Sequence, residues 1–345
     1  MRDGTRMGDR SPPGASGMSA DMVAAAAGRA VAPGGGSSAA GPDIAAAMAT
    51  RATGENFPVA LRLLPARHRG HLMAVYGFAR TVDDIGDKAP LAERPRLLDE
   101  LEADLGRLYA GAGPDKAGRD GAGGEAAGHG VAGRPAGDGR APELSVIRAL
   151  RPAVSQCAIP QQPFLDLIQA NRQDQVVTRY PSFDDLLGYC RLSANPVGRI
   201  VLHVFGAFSP GRAELSDQVC TALQLAEHWQ DVGEDFRAGR IYLPGEDMAR
   251  YGCGEADLSA PRASAALRAL VAFETKRARS ILDAGAPLVG TLGGFARAAV
   301  AGYVAGGRAA LAAIRGLGHD VLRGTPRPRK QRLAAELVKA YVRGR

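Results

Sequence analysis

Apolar residues recur at steps of three and four along most of the chain after residue 60, which is the spacing of one face of an α-helix. In the first such segment the apolar positions are Leu72, Val75, Tyr76, Ala79 and Val82. The same spacing predicts further helices over residues 97–108, from 144 onward, and over 183–192, 215–235, 264–282 and 288–314. No stretch shows the strict alternation of apolar and polar residues that is typical of a half-buried strand. We therefore predict an all-α protein.

Two local signals predict where helices begin and end. Ser182 is followed three residues later by Asp185, which is typical of a capped helix start. Pro196 interrupts the next apolar pattern, and because proline lacks an amide donor we expect the helix to kink or end there. Such a kink would either frame a cavity or belong to an ordinary core helix.

Two segments have no helical pattern and few large apolar side chains that could be buried. Residues 1–50 are rich in alanine, glycine, serine and proline, and residues 110–143 hold eleven glycines with Val131 as the only aliphatic residue larger than alanine. Such compositions cannot offset the entropy lost on ordering. We expect a disordered tail over 1–50, a folded domain over 51–325 that contains a disordered insertion at 110–143, and a basic segment over 326–345.

Composition narrows the classes of function. The four cysteines form no CxxC pair and lack zinc-ligand spacing, which favours a reducing cytoplasm and argues against a structural zinc site. The net charge of +7 favours an anionic partner, such as nucleic acid, a membrane surface or a phosphorylated substrate. Aromatic residues make up 5% of the chain and are not interleaved with basic ones, so nucleic-acid binding is disfavoured. No glycine motif follows a strand, so a nucleotide-binding fold is disfavoured too.

The C-terminal segment has its own pattern. From Arg323 onward the chain carries eight basic residues and one acid, Glu336. Leu333, Leu337, Val338 and Tyr341 are predicted to share one helix face. A basic amphipathic helix of this kind either contacts an anionic membrane or is a solvated terminal helix.

Two short acidic stretches carry the candidate chemistry. They are Asp83-Asp84-Ile85-Gly86-Asp87 and Asp231-Val232-Gly233-Glu234-Asp235. Each places carboxylates at i and i+4, hence on one face of a helix. Acids on two facing helices would repel each other unless cations lay between them, and oxygen ligands suit Mg²⁺. The alternative is that both stretches are ordinary solvated faces. The candidate metal ligands are Asp83, Asp84, Asp87, Asp231 and Asp235.

Other polar residues extend these two acidic faces. Tyr76 and Arg80 precede the first stretch at helical spacing, and Gln224 and Glu227 precede the second. Arg240 follows the second stretch closely, and a cation beside carboxylates is useful where a diphosphate must be bound. The pattern favours a magnesium–diphosphate site between two helices.

Three separated signatures resemble the squalene/phytoene synthase family. They are Tyr76-x-x-x-Arg80-x-x-Asp83-Asp84-Ile85-Gly86-Asp87, then Tyr189-Cys190 with Val197-Gly198, and then Gln224 through Phe236 with Arg240-Ile241-Tyr242-Leu243-Pro244. The resemblance covers roughly residues 53–325. It implies an all-α class I isoprenoid synthase fold, a helical bundle around a central cavity.

The resemblance also implies roles for individual residues. Mg²⁺ bound by Asp83, Asp87, Asp231 and Asp235 would hold a prenyl diphosphate that Arg80 contacts. The candidate catalytic residues are Arg80, Tyr76, Tyr189, Glu227 and Tyr242. The candidate substrate-binding residues are Phe57, Arg80, Arg191, Val197, Gly198, Gln224 and Arg240.

Within the family, the chain is similar to the hopanoid-pathway hydroxysqualene synthases. Members that join two prenyl diphosphates usually carry Asn where this chain has Glu227 and Arg where it has Gln230. The resemblance implies conversion of presqualene diphosphate and water to hydroxysqualene and diphosphate, between a presqualene diphosphate synthase and a hydroxysqualene reductase. Glu227 and His228 are the candidates for positioning the water, and Glu227 is alternatively an extra metal ligand.

Three alternatives stay open. The chain could condense two prenyl diphosphates to presqualene diphosphate or phytoene, or it could be a reductive squalene synthase, although no apolar run follows residue 320. It could also be a non-catalytic lipid-binding or assembly protein, a reading that the two intact acidic motifs disfavour. The expected location is the cytoplasm, with peripheral contact at the inner membrane face as an option.

Overall fold

The computed structural model describes residues 64–111, 140–328 and 330–343. Across these ranges the repeating structure is α-helical, with one isolated β-bridge between Arg179 and Ile241. The helices are α1 Ala66–Lys88, α2 Arg94–Ala110, α3 Ser145–Cys157, α4 Gln162–Asp174, α5 Phe183–Ser193, α6 Asn195–Val204, α7 Pro210–Arg237, α8 Gly245–Tyr251, α9 Glu255–Leu258, α10 Ala265–Gly285, α11 Leu288–Thr291, α12 Gly294–Gly316 and α13 Lys330–Arg343. The predicted all-α fold is confirmed.

The tail over 1–50 and most of the insertion over 110–143 lie outside the described residues, as does Phe57. The two ends of the insertion are nevertheless joined by hydrogen bonds. Buried Asp104 on α2 accepts hydrogen bonds from the backbone amides of Glu143 (2.7 Å) and Leu144 (2.8 Å). Because Leu108 and Ile147, one on each side, join the same apolar cluster, the insertion interrupts one packed unit.

Both predicted helix-end signals are found in the structure. The Ser182 hydroxyl accepts from the Asp185 amide (3.2 Å) while the Asp185 carboxylate accepts from the Ser182 amide (3.0 Å), which forms a capping box. At the proline, α5 ends at Ser193 and Pro196 lies in the first turn of α6, where a missing amide donor is tolerated.

The prediction of one continuous helix over 288–314 is wrong. The structure divides it into α11, which ends at Thr291, and α12, which begins at Gly294. Gly294 has φ +52°, a conformation that favours glycine and lies outside the right-handed helix. The Thr291 hydroxyl also donates to the Leu288 carbonyl (2.9 Å) in the last turn of α11.

The long helix α7 lies at the centre of the molecule and packs against α6, α10 and α12. Two of these contacts depend on glycine. A Cβ atom at Gly198 of α6 would lie 2.3 Å from the Ser216 hydroxyl, and one at Gly285 of α10 would lie 2.7 Å from the Leu215 carbonyl. These close approaches fix α7 rigidly, and with it the second acidic stretch.

The C-terminal helix α13 packs along α12. Leu337 packs against the core and Ala340 is buried, whereas Val338 and Tyr341 face outward. The predicted single apolar face is therefore wrong, because the four predicted residues are divided between an inner and an outer side. No helix in the described ranges is long and apolar enough to cross a bilayer.

Candidate active site

The first acidic stretch turns one face of α1 toward the interior. Tyr76, Asp83 and Gly86 are buried, and the Asp83 carboxylate accepts from the Asn171 side-chain amide of α4 (3.2 Å). Gly86 permits this contact, because a Cβ there would lie 2.1 Å from the Asn171 side-chain oxygen. The sequence places Asp83 and Asp87 on this face because they are one helical turn apart.

Asp84 lies at the edge of that face and has different neighbours. Its half-exposed carboxylate forms ion pairs with Arg80 (3.1 Å) and Lys88 (2.8 Å) on the same helix. Asp84 is thus paired with two cations of its own helix.

The second acidic stretch occupies the matching face of α7. Gln224, His228 and Asp235 are buried, and Glu227 and Asp231 are partly buried. Their steps of three and four keep all five on one side of α7, while Trp229 points into the apolar core. Gln224 contacts the His228 ring, with 3.2 Å between Nε2 atoms.

Arg240 lies between the two helices. Its guanidinium is 3.7 Å from the Asp87 carboxylate. The backbone positions it: the Arg240 amide donates to the Asp235 carbonyl (2.9 Å), and the Ile241 amide donates to the Thr178 carbonyl (2.9 Å). The turn after α7 thereby places a largely buried cation among the carboxylates.

Asp174, at the end of α4, joins this cluster and was not among the predicted site residues. Its buried carboxylate accepts from the Tyr189 hydroxyl (2.8 Å). Burial raises the pKa of Asp174 to about 7, although Arg240 opposes the shift. The signal in the sequence is weak: Asn171 and Asp174 are polar residues one turn apart on an otherwise apolar helix face.

Aromatic rings form one wall of the site. The Tyr242 ring stacks on His228 (3.7 Å between centroids) and on Tyr180 (5.7 Å), and it lies 5.9 Å from Tyr189. Burial lowers the pKa of His228 to about 3, so its imidazole is neutral at physiological pH. The wall therefore presents tyrosine faces and an uncharged histidine.

Burial makes the carboxylates of Asp87, Asp231 and Asp235 harder to ionise. Burial raises the pKa of Asp87 to about 6 and that of Asp231 to about 6. Burial and the neighbouring Asp231 raise the pKa of Asp235 well above its usual range. A bound cation would stabilise these acids in their ionised form.

The donor set fits Mg²⁺. In the three described ranges, no three His, Cys, Asp or Glu side chains are grouped closely enough to hold a metal ion by themselves. Mg²⁺ is commonly held by one or two carboxylates together with substrate phosphates, so facing acidic helices can share it with a diphosphate.

A segment after α12 also reaches the second stretch. The Thr325 hydroxyl lies 2.9 Å from an Asp231 oxygen and 3.0 Å from a Glu234 oxygen, and the Gln230 amide contacts the Pro326 carbonyl. No pattern in the sequence marks this contact, since it joins residues more than ninety positions apart.

An apolar cavity of about 30 Å³ adjoins the polar region along a neighbouring face of α7. Its lining includes both predicted residues from the start of α6, Val197 and Gly198, together with Leu223, Val300 and Tyr303. Leu223 immediately precedes Gln224, the first residue of the polar face.

The structure does not bring every predicted residue to this region. Arg191 is exposed and lies about 200° around α5 from Tyr189, on the opposite side of the helix. Tyr76, Arg80, Gln224, Glu227, Arg240 and Tyr242 lie with the acidic faces. Gly198 also has a packing role, which a sequence pattern cannot separate from a binding role.

Comparison with known proteins agrees with this arrangement. A hydroxysqualene synthase of Sinorhizobium fredii is 34% identical over 70% of this chain and 72% of its own, and one of Rhodopseudomonas palustris is 35% identical over 68% and 70%. The crystal structure of a squalene synthase from Alicyclobacillus acidocaldarius is 37% identical, with a TM-score of 0.66 over 80% of this chain and 93% of that one. The squalene/phytoene synthase family profile matches residues 50–334. The chain therefore belongs to the squalene/phytoene synthase family.

Proposed function

We propose that this protein converts presqualene diphosphate and water to hydroxysqualene and diphosphate. The observation that carries the proposal is the placement of two acidic helix faces around Arg240, with an apolar cavity lined by a neighbouring face of α7. A charged, phosphate-binding region next to an apolar one matches a substrate with a diphosphate head and long hydrocarbon chains.

The acidic helix faces and Arg240 form the polar end of the site, which binds the leaving diphosphate. Asp83, Asp87, Asp231 and Asp235 would hold Mg²⁺, which stabilises the negative charge that develops on a departing diphosphate. Arg240 and Arg80 each extend a guanidinium toward this end, and guanidinium groups bind phosphate oxygens with two parallel hydrogen bonds. These contacts orient the carbon–oxygen bond that breaks.

The aromatic wall stabilises the carbocation that remains. Loss of diphosphate leaves a cyclopropylcarbinyl cation, which rearranges to the 1′–1 linked skeleton before water attacks. The face of an aromatic ring attracts a cation through its quadrupole, and we assign this role to Tyr189, because His228 stacks on Tyr242 and covers one of its faces. The Tyr189 hydroxyl is fixed by Asp174, so its ring orientation is held during the rearrangement.

Glu227 is the better candidate for orienting the water. It lies on the polar face of α7 and is partly exposed, whereas His228 is buried against Tyr242 and neutral. The attacking water gives its proton to a base as the new carbon–oxygen bond forms, and a carboxylate on this face can accept it.

The choice of substrate is supported by two residues and by the relatives. Glu227 and Gln230 depart from the Asn and Arg that condensing members usually carry. The relatives from Sinorhizobium fredii and Rhodopseudomonas palustris are named hydroxysqualene synthases. On this proposal a presqualene diphosphate synthase supplies the substrate, and a hydroxysqualene reductase consumes the product.

Product analysis tests the proposal. Purified protein with Mg²⁺ is incubated with presqualene diphosphate in one tube and farnesyl diphosphate in another, and the extracted lipids are identified by mass spectrometry. We expect hydroxysqualene from the first tube and no coupled product from the second. Presqualene diphosphate or a C30 hydrocarbon from farnesyl diphosphate alone would replace the proposal with the condensing reaction.

A further inference from the structure

An apolar patch on the outside of the molecule has no role in the proposed reaction. On α13, Val338 is 63%, Val342 57% and Tyr341 38% exposed. We name these three residues the outer patch. Single exposed apolar side chains are common, but a contiguous group marks an interaction surface.

Contacts with α12 hold the end of α13 in place. The Arg297 guanidinium of α12 donates to the Tyr341 carbonyl (2.8 Å) and lies 4.7 Å from the centre of the Tyr341 ring. The beginning of α12 therefore lies beside the end of α13.

The sequence of α13 gives the outer face a regular pattern. Successive residues of a helix are about 100° apart, so the outward apolar side chains fall in one arc of about 120°. They are Tyr341, Ala334, Val338, Val342 and Ala335, with the polar Gln331 among them. The inner side packs against the body of the protein through Leu337 and Ala340. The helix is thus apolar on two sides, and its own fold uses only one of them.

Basic residues border the outer arc on both edges. Lys330 lies at one edge, and Lys339 and Arg332 lie beyond the other; all three are exposed. Glu336, the acid on this helix, is buried on the inner side and pairs with Lys339 (3.3 Å). An apolar arc bordered by cations is complementary to a bilayer surface with anionic headgroups, where lysine and arginine stems reach up to the phosphates.

The patch is also connected to the apolar cavity through α12. The helix α13 packs along α12, which lines the cavity with Val300 and Tyr303. Contact with lipid at this end of the molecule would place the cavity close to the bilayer, in which long hydrocarbon chains dissolve.

We propose that the outer patch docks the protein on the surface of an anionic lipid bilayer, with α13 lying in the plane of the interface. Val338, Val342 and Tyr341 enter the headgroup boundary, and the bordering lysines and arginine contact lipid phosphates. This proposal is independent of the reaction catalysed.

Vesicle flotation of the full-length protein tests the docking. Vesicles of phosphatidylcholine alone are compared with vesicles that also contain phosphatidylglycerol, at low and at raised salt. We expect binding to the anionic vesicles that weakens with salt, because each lysine or arginine near such a surface contributes about 1 kcal/mol.

Two variants and a matched control locate the surface. The double variant Val338→Ser/Val342→Ser is expected to lower vesicle binding about tenfold, since it removes two apolar side chains from the interface. Lys339→Gln is expected to lower binding about fivefold at low salt. Leu317→Ser, at the far end of α12 and 51% exposed, should leave binding unchanged. Circular dichroism of each variant verifies the fold.

Three outcomes of these experiments would overturn the proposal. Failure of the wild type to float with anionic vesicles would mean that another part of the chain or another protein covers the patch. A wild-type dimer that the double variant converts to a monomer, without loss of vesicle binding, would assign the patch to a second copy of the chain. A loss of vesicle binding in Leu317→Ser as large as that in the double variant would place the lipid contact elsewhere.

Discussion

Asp84 and Asp87 stand three residues apart on the same helix but differ in their surroundings. Asp84 is half exposed and paired with Arg80 and Lys88, whereas Asp87 is largely buried and faces Arg240. Both were predicted as metal ligands, since the sequence shows only that they are acidic. The structure supports a role in binding Mg²⁺ for Asp87 more strongly than for Asp84.

Replacing each of these two aspartates by asparagine tests this difference. Asp87→Asn should reduce kcat/KM at least about a hundredfold, because it removes a carboxylate that holds the leaving diphosphate through Mg²⁺. Asp84→Asn should change kcat/KM less than about fivefold, because exposed ion pairs contribute about 1 kcal/mol or less. Steady-state kinetics over a range of Mg²⁺ concentrations gives both values. Equal losses in the two variants would show that Asp84 turns inward to bind metal.

The contact between Tyr189 and Asp174 provides a second prediction for single residues. Tyr189→Phe keeps the ring but removes the hydroxyl that donates to Asp174. We expect kcat to fall about tenfold or more, because Asp174 no longer holds the ring that stabilises the carbocation. The apparent affinity for Mg²⁺ should stay close to that of wild type, because Tyr189 does not bind the diphosphate. A large change in Mg²⁺ affinity with kcat preserved would instead place Tyr189 with the metal ligands.

At the level of elements, the position of α7 depends on close helix contacts. At Gly285 an added Cβ would meet the backbone of α7 at Leu215 and Val219, whereas at Gly306 of α12 nothing lies within 4 Å. Gly306 lies inside α12, whereas Gly285 is the last residue of α10, and the preference of a helix for alanine over glycine applies to its interior. Gly306→Ala therefore reports the effect of helix propensity, and Gly285→Ala mainly that of packing.

Gly285→Ala is expected to reduce the free energy of unfolding by about 1–3 kcal/mol, because the backbone of α7 cannot move aside. Gly306→Ala should leave it unchanged or raise it by about 0.5–1 kcal/mol, since alanine favours the helix. Urea unfolding followed by circular dichroism measures both. Destabilisation by Gly306→Ala alone would contradict the described packing.

The helix positions were predictable because they depend on local rules. The Ser182 cap and the end of α5 before Pro196 follow from adjacent residues alone. Asp174 and Thr325 were missed because their contacts join residues on different helices, and no short motif marks those pairs. The orientation of α13 was missed for a related reason: its sequence contains two apolar sides, and only packing decides which one is inward.

For the whole molecule, the buried acids connect pH, Mg²⁺ and stability. The pKa of Asp87 and that of Asp231 rise from 3.8 to about 6 on burial. A carboxyl whose pKa is higher in the folded state stabilises the fold while it is protonated, and this contribution is lost as the pH rises through the folded pKa.

Without divalent ions, we expect these two acids to make the free energy of unfolding fall between about pH 4 and pH 6. Mg²⁺ needs the ionised carboxylates, so the rise in Tm that it causes should be small near pH 5 and large near pH 7.5. Scanning calorimetry with and without Mg²⁺ measures this. The variant Asp87→Asn/Asp231→Asn should show a flatter dependence on pH and little response to Mg²⁺. An equal Mg²⁺ effect at both pH values in wild type would contradict the assignment.

The central claim is that water captures a carbocation after the carbon–oxygen bond of presqualene diphosphate breaks. The most direct test is the reaction in H₂¹⁸O, followed by mass spectrometry of the alcohol. The proposal predicts hydroxysqualene whose hydroxyl oxygen carries ¹⁸O, because the substrate oxygen leaves with the diphosphate. An unlabelled alcohol that keeps the presqualene skeleton would show cleavage between phosphorus and oxygen, and it would contradict the proposed reaction.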